Sequence, residues 1–196
     1  MGADSAFVIA GAGLAGAKAA QTLRGEGFDG AVVLIGDETE RPYERPPLSK
    51  DYLLGKAERE TIFVHPRSWY AEHDVDLRLG VSVTGIDAAA HSVSLADGSR
   101  VGYARLLLAT GSSPRRLPVE GGDADGVLYL RRVGDSDQIK AALQTASRVV
   151  VIGAGWVGLE TAAAARAAGA EVTWGSRRTS SSQRRRGWLG GECWPG

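Results

Sequence analysis

"VIAGAGLAGAKAA" (8–20) and "VIGAGWVGLETAA" (151–163) carry one pattern twice. Each is a short apolar run, three glycines spaced G-x-G-x-x-G, then alanines and leucines at helical spacing. In such a turn the first glycine permits the tight bend. The second lets a pyrophosphate approach the backbone, and the third lets the helix close on the strand. An anion then rests on free N–H groups at the helix N-terminus. Gly11, Gly13 and Gly16 stand 142 residues before Gly153, Gly155 and Gly158. The repeat predicts two nucleotide-binding units in one chain, the second inserted into or following the first. Three glycines that merely pack a helix on a strand would look alike in isolation. The first copy, however, is followed by "AVVLIG" (31–36), a β-branched run expected of a strand buried on both faces. Asp37 comes next, 21 residues beyond Gly16, where a carboxylate can accept hydrogen bonds from a ribose.

The segments between the copies read outward from these anchors. "DETERPYERPPLSKDYLLGK" (37–56) is polar and proline-rich, a loop expected to lead into a helix around 48–54. Its three prolines fix the backbone at little entropic cost. Arg41, Arg45 and Lys50 would lie near an anionic ligand, although the stretch taken alone suits a rigid, solvated linker better. "GVSVTGIDAAAHSVSLADGSRVGYARLLLATG" (80–111) reads as a small three-stranded meander with a hairpin at Asp97-Gly98, then a buried strand at 105–111. Residues 135–146 read as a helix and "RVVVIGAG" (148–155) as another buried strand entering the second glycine turn.

Composition excludes several classes. The chain has 196 residues, 43% apolar and 23% charged, as in ordinary globular domains. A single cysteine, Cys193, leaves no disulfide framework, no cysteine-rich metal site and no redox dithiol. His65, His73 and His91 are scattered without metal-ligand spacing, so no metal is expected, and Trp69 and Tyr70 read as core. No apolar run approaches the roughly 18 residues of a membrane helix, and residues 6–10 lack the basic flank of a signal peptide. The expectation is a cytoplasmic protein without membrane attachment. Acidic and basic residues number 23 each, but residues 174–196 hold five of the arginines and one glutamate. The remaining 173 residues, 18 basic and 22 acidic, offer no electrostatic footprint for nucleic acid.

"VIAGAGLAGAKAAQTLR", "RPYERPPLSKDYLLGK", "LLLATGSSPRRLP", "YLRR" and "VVVIGAGWVGLE" together resemble the FAD-dependent pyridine nucleotide-disulfide oxidoreductases, in particular the ferredoxin reductase group of putidaredoxin, rhodocoxin and rubredoxin reductases. The resemblance covers roughly residues 5–173. It implies an α/β fold: a Rossmann-type FAD-binding domain with a small β-meander, plus the start of a second Rossmann-type domain for NAD(P)H. It also implies how the motifs serve FAD. Gly11, Gly13, Leu14, Ala15 and Gly16 would hold the pyrophosphate, and Asp37 the adenosine ribose. Lys50 would sit beside the flavin ring, Arg45 would lie near the anionic cofactor, and Val83 would meet the adenine through its backbone. Ala109, Thr110 and Gly111 would line the phosphates, and Arg131 would complete the set. Gly153, Gly155 and Gly158 would bind the nicotinamide dinucleotide. Lys50 and Glu160 would pair at the flavin, where a lysine favours negative charge developing on reduction. The implied activity passes electrons from NAD(P)H to a ferredoxin- or rubredoxin-type acceptor. A monodehydroascorbate or nitrite reductase-like relative, or a non-catalytic FAD-binding fragment, stands as the alternative.

The composition changes near Thr173. "WGSRRTSSSQRRRGWLGGECWPG" (174–196) has no apolar periodicity, and its arginine, glycine, serine and tryptophan content is that of G/C-rich coding sequence read out of frame. Ser176 stands where the second unit's acidic residue is expected. Arg177 and Arg178 follow, and would suit a 2′-phosphate only at an ordered strand end. A genuine basic tail for nucleic acid or membrane would lack any fold motif. The expected organisation is therefore an FAD-binding domain over 1–115 without its return segment, the start of an NAD(P)-binding domain over 116–173, and a non-native tail over 174–196. Such a truncated chain is expected not to turn over NADH.

Overall fold

β1 (Phe7–Ala10) lies between β2 (Val32–Ile35) and β7 (Arg105–Leu108), and β3 (Val75–Arg78) extends the sheet beyond β2, all four parallel. These strands belong to a computed structural model that describes residues 6–175. Val8, Ile9, Leu34 and Ile35 are fully buried, as continuous apolar strands covered on both faces must be. α1 (Leu14–Gly25) covers one face. Its buried residues are Gly16, Ala17 and Ala20, small enough for the helix to close on Ile9 and Leu34. α2 (Arg67–Glu72) adds Tyr70 to that layer.

The opposite face carries the antiparallel meander β4 (Val83–Asp87), β5 (Ser92–Leu95) and β6 (Arg100–Gly102). Val93, Leu95, Val101 and Tyr103 pack there on Val8, Val33 and Ile35. The turn between β5 and β6 falls at Asp97-Gly98, with Gly98 at φ 86°. The result is a helix layer, a parallel sheet and a meander layer.

The second copy builds α3 (Val133–Leu143), β8 (Arg148–Ile152), α4 (Trp156–Ala167) and β9 (Glu171–Gly175), with β8 and β9 parallel. Ile139, Leu143, Ala164 and Ala165 form its core together with Leu53, a residue of the proline-rich loop. Val133 in turn packs with Tyr43, Leu48 and Tyr52. The proline-rich loop is therefore the joint between the two units.

Several expectations need correction. The helix expected around 48–54 is a 3-10 turn, Pro46–Ser49, followed by further turns. Lys50 leaves the helical region (φ −118°, ψ −120°), and the chain then reverses through Tyr52 N–H to Pro47 O and Gly55 at φ 71°. α2 and β3 have no counterpart in the sequence reading. One is a helix of six residues and the other an edge strand of four, "VDLR", too short to show a period. The strand expected buried at 105–111 ends at Leu108, and Leu107 and Leu108 are exposed because β7 has one neighbour among the described strands. Val150 and Ile152 of β8 are likewise exposed. β9 runs through Trp174 and Gly175, which pair with Val151 and Ile152, so the strand does not stop at the composition break. Ser176, Arg177, Arg178 and the rest of the expected tail lie outside the described residues.

Candidate dinucleotide sites and the loop between them

At the carboxyl end of β1 the three glycines divide by cause. Gly11 has φ 122°, and a Cβ there would stand 2.1 Å from the Ala109 carbonyl oxygen. A Cβ on Gly16 would stand 2.0 Å from the Gly11 oxygen. Both glycines are demanded by the protein's own packing. Gly13 is not. Its backbone is extended (φ −93°, ψ −168°), and beyond its chain neighbours no described atom lies within 4 Å of where a Cβ would be. Its bare Cα leaves an open cradle that a side chain would fill. Gly13 also caps α1, and among the described residues no side chain bonds that helix end. The first closing bond runs from Ala17 N–H to Gly13 O, 3.0 Å, so the N–H groups of Leu14, Ala15 and Gly16 precede the helical ladder. Open space, unclaimed donors and the positive end of the helix dipole together suit a phosphate.

The neighbouring strand ends frame this cradle. Ala109 N–H bonds Ala10 O at 2.8 Å, which sets Ala109 and Thr110 against the Gly11 bend. Gly111 (φ 71°) lies under the Arg131 guanidinium, 3.1 Å from the position of a Cβ. Burial, followed by the nearby Arg45 charge, lowers the Arg131 pKa. Asp37, at the end of β2, forms an ion pair with Arg132, whose Nη2 donates to Oδ2. Val83 opens β4 opposite Leu95 and is partly buried against the meander core.

Arg45, expected beside the ligand, is committed within the protein. Its guanidinium donates to Glu38 Oε1 (2.7 Å), to the Tyr43 hydroxyl (3.1 Å) and to the Arg131 carbonyl (2.6 Å). Tyr43 donates to Glu38 Oε2 at 2.5 Å and accepts from Val133 N–H at 3.1 Å. Burial, then the Glu38 hydrogen bond, pushes the Tyr43 pKa up to about 12. This network ties the loop after β2 to the segment that enters α3. Arg132 was not legible as a partner of Asp37 because 95 residues separate them. Glu38 and Tyr43 are only 5 residues apart, but the loop that brings them together follows no periodic pattern.

Lys50 and Glu160 are brought together. Lys50 Nζ lies 3.6 Å from Glu160 Oε1. Ser49 Oγ donates to Glu160 Oε2 at 2.5 Å, and Ser136 Oγ donates to Leu48 O at 2.8 Å. Tyr52 and Arg59 both donate to Asp137, each at 2.6 Å. The turn bearing Lys50 is thus clamped by α3 and α4. Ser136 and Asp137 carry no motif signal, and Ser49, although inside the proline-rich motif, has no role read from it. The second glycine turn repeats the local geometry of the first: Gly153 has φ 129°, and a Cβ on Gly158 would stand 2.0 Å from the Gly153 oxygen. Gly155, like Gly13, meets nothing within 4 Å.

A parallel sheet with a glycine turn and an open helix N-terminus at its carboxyl edge, joined to a second copy, defines a protein built around dinucleotides. The profile of the family described as pyridine nucleotide-disulphide oxidoreductase matches residues 5–183, and the chain belongs to that family. It is similar to rhodocoxin reductase of Rhodococcus erythropolis, 45% identical over 167 residues, covering 85% of this chain and 39% of that protein. It is also similar to rubredoxin-NAD(+) reductase of Pseudomonas putida, 40% identical over 168 residues, covering 86% of this chain and 44% of that protein. The crystal structure of the covalent putidaredoxin reductase–putidaredoxin complex matches with TM-score 0.84 at 43% identity, over 88% of this chain and 42% of the other. The chain thus spans about two-fifths of the length of these relatives. Among the described residues no helix is long and apolar enough to cross a membrane.

Proposed function

We propose that this chain holds FAD in its first unit and NAD(P)H in its second, and serves a reductase that passes electrons to a ferredoxin- or rubredoxin-type acceptor. The observation that carries the reading is Gly13. No described residue crowds a side chain there, yet its place on an uncapped helix end is where a pyrophosphate needs bare backbone. The names of the similar reductases support the acceptor class. FAD supplies the step from a two-electron donor to one-electron acceptors.

The residues divide the work. Gly11, Gly13, Leu14, Ala15 and Gly16 present the N–H cradle for the pyrophosphate, with Ala109, Thr110 and Gly111 as its wall. Asp37 accepts from the adenosine ribose, and Val83 borders the adenine. Arg131 adds positive charge near the cradle, and Arg45 serves by holding the Arg131 carbonyl. Lys50 faces the flavin with Glu160 as counter-charge. Gly153, Gly155 and Gly158 form the nicotinamide-side turn. We place the first domain at 1–115 and the start of the second at 116–173; no helix or strand lies between Leu108 and Val133. The cytoplasm, which holds the NAD(P)H pool, is the fitting compartment.

A second reading, FAD binding without turnover, is favoured by one observation: among the described residues the second turn is open, with Trp156 83% exposed and no atom within 4 Å of where a Cβ on Gly153 or Gly155 would stand. The test is titration of the purified chain with FAD, followed by NADH under anaerobic conditions. Stoichiometric flavin uptake and bleaching by NADH support the full reading. Uptake without bleaching supports the second. No uptake refutes both.

A further inference from the structure

Asp37 is not free at the end of β2. Its Oδ2 accepts from Arg132, and both side chains are half exposed, 51% each. No described residue donates to Oδ1. The backbone that carries Arg132 is fixed from two directions. The Arg131 and Arg132 N–H groups both donate to Asp135 Oδ2, at 2.8 and 2.7 Å, which starts α3. Arg45 holds the Arg131 carbonyl from the other side. The Arg132 side chain therefore reaches Asp37 from an anchored stem.

We propose that Arg132 is a positioning residue for the dinucleotide's adenosine ribose. It pins Asp37 by one oxygen, leaves Oδ1 turned free to accept from a ribose hydroxyl, and offsets the carboxylate's charge beside a ligand that brings two phosphate charges. The second effect matters because an unpaired carboxylate near a pyrophosphate raises the energy of the complex. The first matters because a carboxylate held in one orientation loses less freedom on binding. This assignment rests on the reading of the first glycine turn as the FAD site. It concerns the second arginine of "YLRR", whereas the motif's resemblance points to Arg131.

The test is a double-mutant cycle read by FAD titration and by displacement of FAD with ADP, which carries the same ribose without the flavin. R132Q is expected to weaken both ligands about threefold, the scale of a half-exposed ion pair. R132K should recover most of the loss, and raising the salt should shrink the difference. In the D37A background, R132Q should change affinity by no more than about 1.3-fold, since its partner is gone. An equal loss in both backgrounds would show that Arg132 acts only through the start of α3 and overturn the assignment. Tighter binding by R132Q would also overturn it, because the pair would then obstruct the site. A wild-type chain that takes up no FAD overturns the cofactor reading and this assignment with it. Wild-type uptake without coupling overturns this assignment alone.

Discussion

The two glycine turns share their internal geometry and differ in what surrounds them. Gly11 and Gly153 have φ 122° and 129°, and a Cβ on Gly16 or Gly158 would stand 2.0 Å from the oxygen of the first glycine of its turn. Yet β1 is enclosed by β2 and β7, and Gly11 lies against the Ala109 backbone, whereas a Cβ on Gly153 would meet no described atom within 4 Å. Short-range sequence thus sets the bend itself. How rigidly the bend is held depends on the strands beside it.

The largest expected effect tests this difference. Gly11→Ala combines a conformation foreign to L-residues, about 1–3 kcal/mol, with a clash against backbone that adds about 1–3 kcal/mol. Gly153→Ala meets only the first of these. Urea unfolding should show Gly11→Ala as the more destabilising, and equal losses would remove the contrast.

Ligand binding separates the turns in a second way. Asp37→Ala should weaken FAD by about 1–3 kcal/mol, the scale of a lost charge-assisted hydrogen bond. Unchanged flavin affinity would reject the ribose role. Gly13→Ala should leave urea stability within about 0.5 kcal/mol, since no neighbour is met. It should still reduce FAD affinity at least about tenfold by filling the cradle. A variant that binds FAD normally would show that the cradle is not used.

The joint between the turns is expected to contribute less. Lys50 is half exposed, so its coupling to Glu160 in a double-mutant cycle of unfolding should be about 0.2–1 kcal/mol. Zero coupling in the Ser49-intact chain would mean that the ion pair does not hold the units together.

The smallest effect concerns the layer under α1. His65 is buried, stacked on Trp69 at 4.0 Å, and its Nε2 has no partner among the described residues. Burial, then the Lys18 and His73 charges, lowers its pKa below the usual 6.5. The folded state therefore resists the proton that the unfolded chain accepts. Stability should be full above about pH 6.5 and fall as the pH drops from there toward the folded-state value. His65→Gln should flatten this dependence in thermal melts between about pH 5 and 7. An unchanged slope would place the titration elsewhere.

The sequence alone determined the strand–turn–helix units, the place of Asp37 after β2, the hairpin at Asp97-Gly98 and the proline-rich loop. These depend on glycine's freedom, on β-branched runs and on proline's missing N–H, all readable within a few residues. It also placed Lys50 and Glu160 near one another, through the resemblance and not through spacing. Only the tertiary structure decided that Pro46–Ser49 makes one 3-10 turn and no longer helix. It also decided that Arg45 is engaged by Glu38 and the Arg131 carbonyl, and that Arg132 takes Asp37. Leu107 and Leu108 are as apolar as Val33 and Leu34 and are nevertheless exposed. Apolar character records that a strand can be buried. Whether it is buried, and which distant polar group meets which, depends on neighbours that the chain supplies from dozens of residues away.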